Sequence, residues 1–301
     1  MNRGDRRQQI FRDLHDRVRF LNTLTEACGK TEWQIHAYCL MSNHFHLVIE
    51  TPQPNLVAGM KWLLGVYTKR FNIRHKTCGH LFAGRYKAQP VDNSGNGYLL
   101  TVCDYVHLNP LRAKLIKPGH PMESFPWSSY AKYLDAPKRR PEWLRVDRLL
   151  GEHGIPKDTP AGRREFAARM EERRARDNGA QYKQLRRGWF VGNEEFRQEL
   201  LQAAVGKTGI KYDAARRRET IAQKADRIVM EELKGLALRE SDLLVRRKGD
   251  GDKVRIARRL RQETTMTYEW IAKRLRMGSW IYVSNLLRRQ RVRTKCTNDK
   301  N

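Results

Sequence analysis

The sequence is poor in cysteine and contains no long apolar run. It has five cysteines among 301 residues, an odd number, and no Cys-x-x-Cys pair. These features argue against a disulfide framework and a cysteine-based zinc site, and they favour reduced thiols in a cytoplasmic protein. No stretch approaches the roughly 18–20 apolar residues of a membrane span, and the polar N-terminus lacks the apolar segment of a secretory signal. Neither a membrane protein nor a secreted disulfide scaffold is expected.

Acidic residues are also scarce relative to basic ones. The chain has 33 Asp and Glu against 60 Lys and Arg, which gives a formal net charge of +27. An excess of this size predicts a polyanionic partner, nucleic acid first and an anionic membrane surface second. Hydrophobic residues make up 40% of the chain, which is enough for a packed core. The length allows two or three domains of roughly 100–200 residues each.

The first 135 residues alternate between helical and strand patterns. Apolar spacings of three and four predict helices, and two aromatic and branched segments joined by a tight turn predict a strand pair. The predicted elements are, in order, a helix over 11–24, strands over 33–40 and 44–51, a helix over 55–75, a short strand around 81–91 and a helix over 96–109. This order predicts an α+β fold in which one antiparallel sheet carries helices on one face. No opening strand precedes the first helix.

The composition changes near residue 135, where a proline-rich and charged segment follows. We predict a domain over 1–135, a helical linker region over 136–224 and a basic helical domain over 225–301. The last domain ends in two helical segments around Gly278, a pattern that resembles a helix-turn-helix unit. The C-terminal region is therefore expected to be all-α.

The first motif that can carry chemistry is His44-Phe45-His46 in the second predicted strand. Residues i and i+2 of a strand face the same side, so both imidazoles project together while Phe45 points into the core. Two neutral imidazoles at this spacing can hold one divalent metal ion. His-x-His also occurs by chance, so the motif alone has little weight.

The second motif is Tyr105 with Asn109, four residues apart on one face of the helix predicted over 96–109. The amide oxygen of Asn109 is a suitable third ligand for Mg²⁺ or Mn²⁺. A metal-polarised phosphodiester would allow the phenol of Tyr105 to act as a nucleophile. Tyr98, two turns earlier, is the rival nucleophile. In the alternative interpretation, Tyr105 packs on the sheet and Asn109 caps the helix before Pro110.

Together, the segments MSNHFHLVIE and YLLTVCDYVHLNPLRAKLI resemble the single-tyrosine HUH transposases, the IS200-like family, and within them the REP-associated branch. The resemblance covers roughly residues 3–135. It implies a ferredoxin-like nuclease domain that cleaves and rejoins single-stranded, hairpin-forming DNA, with His44 and His46 as metal ligands and Tyr105 as the nucleophile. Cleavage would leave a 5′-phosphotyrosine and a free 3′-hydroxyl, so that rejoining needs no ATP. The opening strand that the family usually carries before Arg3 is missing from this sequence.

Contacts with single-stranded DNA are expected where basic residues flank an aromatic one. Arg85, Tyr86 and Lys87 form such a group, and Arg70 extends the basic stretch. An aromatic ring can stack on a base while neighbouring cations bind the phosphates. A solvated basic surface is the alternative interpretation.

A second DNA contact is expected at the start of the last predicted helix, where a recognition helix enters a major groove. The candidate residues are Ser279, Trp280, Tyr282 and Asn285. Residues 253–301 contain 14 Lys and Arg against 3 Asp and Glu. A helical bundle that binds RNA or protein would show a similar pattern.

Three functions remain open at the level of sequence. The first is a metal-dependent DNA strand transferase, acting as a monomer or a homodimer. The second is a domesticated or decayed transposase that only binds DNA. The third is an RNA-binding protein of similar charge.

Overall fold

The computed structural model of the chain describes residues 1–177, 182, 185, 188–205 and 220–287. Parts of the predicted linker region and the last residues of the predicted C-terminal domain lie outside these ranges. The chain divides into two compact units. The first unit comprises residues 1–25, 33–50 and 63–217, and the second comprises residues 26–32, 51–62 and 218–301.

The first unit is an α+β fold built on one antiparallel sheet. The strands are β1 (Asn2–Arg3), β2 (Gln34–Leu40) and β3 (His44–Glu50). The helices that lie wholly or partly in this unit are α1 (Leu14–Thr31), α2 (Leu56–His75), α3 (Tyr98–His107), α4 (Asn109–Arg112), α5 (Tyr130–Leu134), α6 (Asp147–Glu152), α7 (Pro160–Arg176) and α8 (Glu194–Val205). The fold class predicted from the sequence is confirmed.

Among the described residues, the three strands lie in the order β1-β3-β2, so β3 is the central strand. The short strand predicted around 81–91 is wrong, because this segment forms only isolated bridges at Phe82 and Val91. β2 and β3 form the predicted tight pair, in which Cys39 lies opposite His46. The sequence predicted no opening strand, but the structure contains a short one: Asn2 pairs with Phe45 and Arg3 with His44. The expectation that no strand precedes the first helix is therefore wrong. The sequence could not show this strand because two residues are too few to display a strand periodicity.

The core of the first unit forms on the face of the sheet that carries Phe45. The Phe45 ring lies 4.8 Å from the ring of Phe20 in α1, and Phe20 lies 5.1 Å from the ring of Tyr67 in α2. All three side chains are at most 2% exposed. The hydroxyl of Tyr67 donates a 2.6 Å hydrogen bond to the carbonyl of Ile10. Helices α1 and α2 therefore cover one face, as the sequence predicted.

Helix α3 packs against β2 and β3, and its contacts with β3 include a ring contact with His46 on the face opposite Phe45. It is interrupted after His107, and α4 starts at Asn109 with Pro110 in its first turn. Proline has no N–H to donate, so this is where a helix tends to break. The break leaves Tyr105 in the last turn of α3 and Asn109 at the start of α4.

The second unit is helical. Its helices include α9 (Ile221–Gly235), α10 (Asp242–Val245), α11 (Gly251–Glu263) and α12 (Tyr268–Arg274), and residues 280–287 are helical as well. Their apolar faces meet in one core, whose members include Ile228, Leu260, Ile271 and Val283. Thr267 accepts the backbone N–H of Trp270 and so caps α12.

A buried lysine holds the turn of this unit in place. Lys253 is 1% exposed, and its ammonium group donates to the carbonyls of Leu243, Arg246 and Arg276 at 2.7, 3.0 and 3.3 Å. Arg276 belongs to the turn that follows α12.

Across the described part of both units, no helix combines the length and apolar character needed to cross a membrane.

Candidate active site and DNA-contacting residues

Strand β3 places two imidazoles side by side. His44 and His46 are both half-buried, and their ring centroids lie 5.2 Å apart in an edge-on arrangement. Alternation along the strand sends Phe45 to the other face, where it is fully buried. Because Phe45 is fixed in the core, the register cannot slip by one residue without burying both imidazoles.

The phenol of Tyr105 reaches the same place from α3. Its ring lies 5.6 Å from the ring of His46, again edge-on. Tyr105 is half-buried, so part of its side chain is accessible to solvent. The structure therefore brings together the three residues that the sequence singled out from two segments about 60 residues apart.

The hydrogen bonding of His44 suits a metal ligand. Its Nδ1 atom lies 2.7 Å from Oδ1 of Asn43. An amide oxygen can only accept a hydrogen bond, so Nδ1 carries the proton and the lone pair of Nε2 is free to bind a cation. A carbonyl oxygen that orients a histidine in this way is a common supporting contact in metal sites.

Both imidazoles are held in the neutral form that a metal requires. Burial, with added repulsion from the charge of Arg3, lowers the pKa of His44 to about 4. Burial also lowers the pKa of His46 well below its usual range, and repulsion from His44, when that residue is protonated, acts in the same direction. The donor set thus fits a divalent cation with two nitrogen ligands.

Further protein ligands are few. Among the residues that the structure describes, no group of three or more His, Cys, Asp or Glu side chains converges on one point. Asn109 is 9% exposed and begins α4, one helical turn beyond Tyr105. Its amide oxygen stays a predicted third ligand, and water or DNA phosphate would complete the coordination.

Two residues at this site were missed by the sequence analysis. The guanidinium carbon of Arg112 lies 4.4 Å from the ring centre of Tyr105 and 4.6 Å from that of Tyr182. Arg112 follows Tyr105 by seven residues, two helical turns, and this spacing was a usable signal. Tyr182 lies 77 residues further along the chain than Tyr105, and no local pattern connects the two.

Other candidates for acid–base chemistry lie elsewhere. His107 is buried, and its Nε2 atom lies 2.9 Å from Oγ of Ser129. Asp104 is fully buried, with Arg173 at 2.6 Å and His153 at 3.4 Å. Tyr98, the rival nucleophile, is the first residue of α3 and half-buried, whereas the ring contacts with His46 and Arg112 belong to Tyr105.

The residues predicted to contact single-stranded DNA are not all equally available. Arg85 and Lys87 are exposed, and Tyr86 is half-buried, with its pKa raised by burial. The backbone N–H of Lys87 donates to the carbonyl of Met1 at 2.9 Å, so this segment runs beside β1. Arg70 is half-buried and donates a 2.7 Å hydrogen bond to Thr23, a contact within the fold.

The last helix of the second unit presents its predicted residues to solvent. Trp280 and Tyr282 are 54% and 42% exposed, and Asn285 is exposed. The Oγ atom of Ser279 accepts the backbone N–H of Tyr282 at 3.2 Å, so Ser279 caps the helix. Gly278 precedes this cap with a φ of +83°, a conformation that favours glycine.

The hydroxyl of Tyr282 packs closely on a neighbouring loop. A side chain at Gly249 would place its Cβ 2.5 Å from the Tyr282 hydroxyl, so a larger residue there would require the Tyr282 side chain to move. Tyr282 therefore has a structural contact in addition to its exposed edge.

One segment of the chain is similar to a known protein family. Residues 1–109 match the family model described as "Transposase IS200 like". The matched segment contains the sheet, both histidines, Tyr105 and Asn109, and the match supports a transposase function for this part of the chain. No curated protein and no solved structure matches the chain.

Proposed function

Starting from the transposase match, we propose that the first unit is a metal-dependent, single-tyrosine HUH nuclease and strand transferase of the REP-associated branch. Its substrate is single-stranded DNA that folds into hairpins. The observation that carries the proposal is the contact between the rings of Tyr105 and His46 at 5.6 Å, with His44 beside them. It supports the proposal because a phenol that could act as the nucleophile lies beside two imidazoles that could hold a metal ion.

The reaction is a phosphodiester exchange. The phenol oxygen of Tyr105 attacks the scissile phosphorus, the bond to the 3′-oxygen breaks, and the phenol proton passes to solvent while the 3′-oxygen leaves as a hydroxyl. The phosphate stays linked to Tyr105 at its 5′ side. One phosphodiester is exchanged for another, so the 3′-hydroxyl can reverse the step without ATP.

His44 and His46 would hold the metal ion, and Asn109 would add an oxygen ligand. When bound, Mg²⁺ or Mn²⁺ supplies positive charge to the phosphate. The chain itself orients the phenol, because α3 fixes the position of Tyr105 and β3 fixes the positions of the two histidines.

The test is a covalent-adduct assay with a labelled single-stranded hairpin DNA from the flanking genome. Wild-type protein with Mg²⁺ should give a slow, protease-sensitive band on a denaturing gel, and EDTA should abolish it. Tyr105→Phe should give no band, whereas the matched control Tyr98→Phe should behave as wild type. A band that persists in Tyr105→Phe and disappears in Tyr98→Phe would contradict the assignment of the nucleophile.

A second candidate function is DNA binding without cleavage. It is favoured by the scarcity of metal ligands, because only two of the described His, Cys, Asp and Glu side chains meet at the site. In this case the assay would show hairpin binding with no covalent band under any metal condition. An RNA-binding role would appear as tighter binding of the RNA of the same sequence.

For the second unit we propose binding of duplex or hairpin DNA through the helix over 280–287. Ser279 caps this helix, while Trp280, Tyr282 and Asn285 lie along its exposed side. In the first unit, the residues proposed to contact single-stranded DNA are Arg70, Arg85, Tyr86 and Lys87. The assembly as monomer or homodimer and the cytoplasmic location stay predictions.

A further inference from the structure

Arg112 occupies an unusual position beside the proposed nucleophile. Its guanidinium lies against the rings of both Tyr105 and Tyr182, at 4.4 and 4.6 Å from the ring centres. The two rings contact each other edge-on at 5.3 Å. Tyr182 is 1% exposed. The rings of Tyr105 and Tyr182 therefore both contact the planar guanidinium of Arg112 and hold it beside the proposed nucleophile.

Polar contacts fix the same head in one orientation. Nη1 of Arg112 donates to Oδ2 of Asp177 at 3.0 Å, and Nη2 donates to the backbone carbonyl of Tyr105. The Arg112 side chain is 17% exposed and that of Asp177 is 7% exposed. Ion pairs held this far from solvent are more rigid than those at a surface, because both side chains are confined by packing.

The fixed guanidinium still has hydrogen-bonding capacity. It carries five N–H bonds, and two of them are used in the contacts above. The other three have no partner among the residues that the structure describes. Arginine binds phosphate through a planar fork of N–H donors, a geometry that lysine cannot reproduce.

We propose that Arg112 binds the phosphate that Tyr105 attacks. Its free N–H bonds donate to a non-bridging phosphate oxygen, and its charge stabilises the negative charge that grows on the phosphate during the exchange. No covalent bond of Arg112 changes. This inference rests on the function proposed for the first unit, because it assigns the phosphate-binding group of the same site.

The first experiment measures adduct formation at single turnover with the hairpin DNA and Mg²⁺. Loss of one such donor typically slows a reaction by about 100-fold or more, so Arg112→Ala should fall by that factor. Arg112→Lys keeps the charge and loses the fork, so it should recover part of the rate. Arg139→Ala is the matched control, since Arg139 is an exposed arginine of the same unit, and it should keep the wild-type rate.

The second experiment does not depend on cleavage. In a Tyr105→Phe background, the affinity for the same DNA is measured as a function of salt concentration, with and without Arg112→Lys or Arg112→Ala. Each phosphate contact to a single strand contributes about 0.7 to the slope of log K against log salt. The Ala variant should lose about 0.7 from this slope, and Arg139→Ala should leave it unchanged.

The outcomes separate the two proposals. If the wild-type protein forms no adduct, the proposed cleavage fails, and the salt slope alone decides whether Arg112 binds phosphate. Thermal unfolding shows whether Arg112→Ala is folded, and if it is not, Arg112→Lys replaces it in the rate measurement. An unchanged slope together with wild-type adduct rates in the folded variants would overturn the role of Arg112.

Discussion

The ring of His46 lies edge-on against the ring of Tyr105, with 5.6 Å between the two centroids. The first residue sits on the central strand of the sheet and the second in the last turn of α3. Both elements are packed on regular structure, so the relative position of imidazole and phenol is set by the scaffold and not by a loop. Sites built in this way hold their geometry more precisely than sites on loops.

The histidine pair should bind a metal ion in the absence of DNA. Imidazole nitrogens are better ligands for transition-metal ions than for Mg²⁺, so Mn²⁺ should bind more tightly than Mg²⁺ in a calorimetric titration. His46→Ala or His44→Ala should abolish binding of Mn²⁺, and Asn109→Ala should weaken it less. His120→Ala, at an exposed histidine, is the control, and equal loss in this variant would contradict the assignment.

Substitutions on the exposed side of the last helix should weaken DNA binding, whereas a substitution on its buried side should destabilise the second unit. Trp280→Ala and Asn285→Ala should weaken duplex DNA binding, each by about 1–3 kcal/mol if the side chain contacts a base edge, and should leave the melting temperature unchanged. Val283 is fully buried, so Val283→Ala should destabilise the second unit by about 2 kcal/mol. Duplex affinity measured by fluorescence anisotropy and thermal unfolding provide the two readouts. Wild-type affinity in both surface variants would remove the recognition-helix proposal.

Lys253 should be a stability determinant of the second unit. Lys253→Met removes the donor that hydrogen-bonds to three carbonyl oxygens. Each buried group left unpaired lowers the free energy of unfolding by roughly 1–3 kcal/mol. Removing a buried charge recovers part of that cost, so a net loss of about 2–4 kcal/mol is expected in urea unfolding. Lys248→Met is the exposed control and should change stability by less than about 0.5 kcal/mol.

Acid should destabilise the first unit partly through Asp13. A hydrogen bond from Arg74 holds the pKa of Asp13 well below its unfolded value of 3.8. The folded state therefore binds fewer protons than the unfolded state near pH 3.8, and the stabilisation is present above that pH and lost as the pH falls below it. Unfolding midpoints of the wild type and Asp13→Asn should differ near pH 6 and converge at low pH. A difference that is constant with pH would contradict the prediction.

Local patterns were sufficient for the elements that position the site. His44 and His46 alternate with a buried phenylalanine, and this period of two identifies a strand and its two faces without further information. The tight turn before His44 and the Asn-Pro pair that follows α3 are equally local. Each of these features depends on residues only a few positions apart, which is why a single sequence contained them.

Contacts between distant segments could not be found in the same way. Tyr182 meets Tyr105 across 77 residues of chain, and nothing in the intervening sequence has a period that would connect them. The pairing of Asn2 and Arg3 with β3 depends on two residues. Arg70 stays a predicted DNA contact, and its hydrogen bond to Thr23 depends on the packing of two helices, which no local pattern reveals.

The position of β3 in the sheet affects how fast its backbone amide hydrogens exchange with solvent. This strand has a neighbour on both sides at Phe45, which pairs with Asn2 and with Leu40 and is fully buried. Backbone amides in such a place exchange their hydrogens only when the whole domain opens. The spacing of the two imidazoles should therefore persist for as long as the domain stays folded, so that a metal ion would meet a preformed pair of ligands.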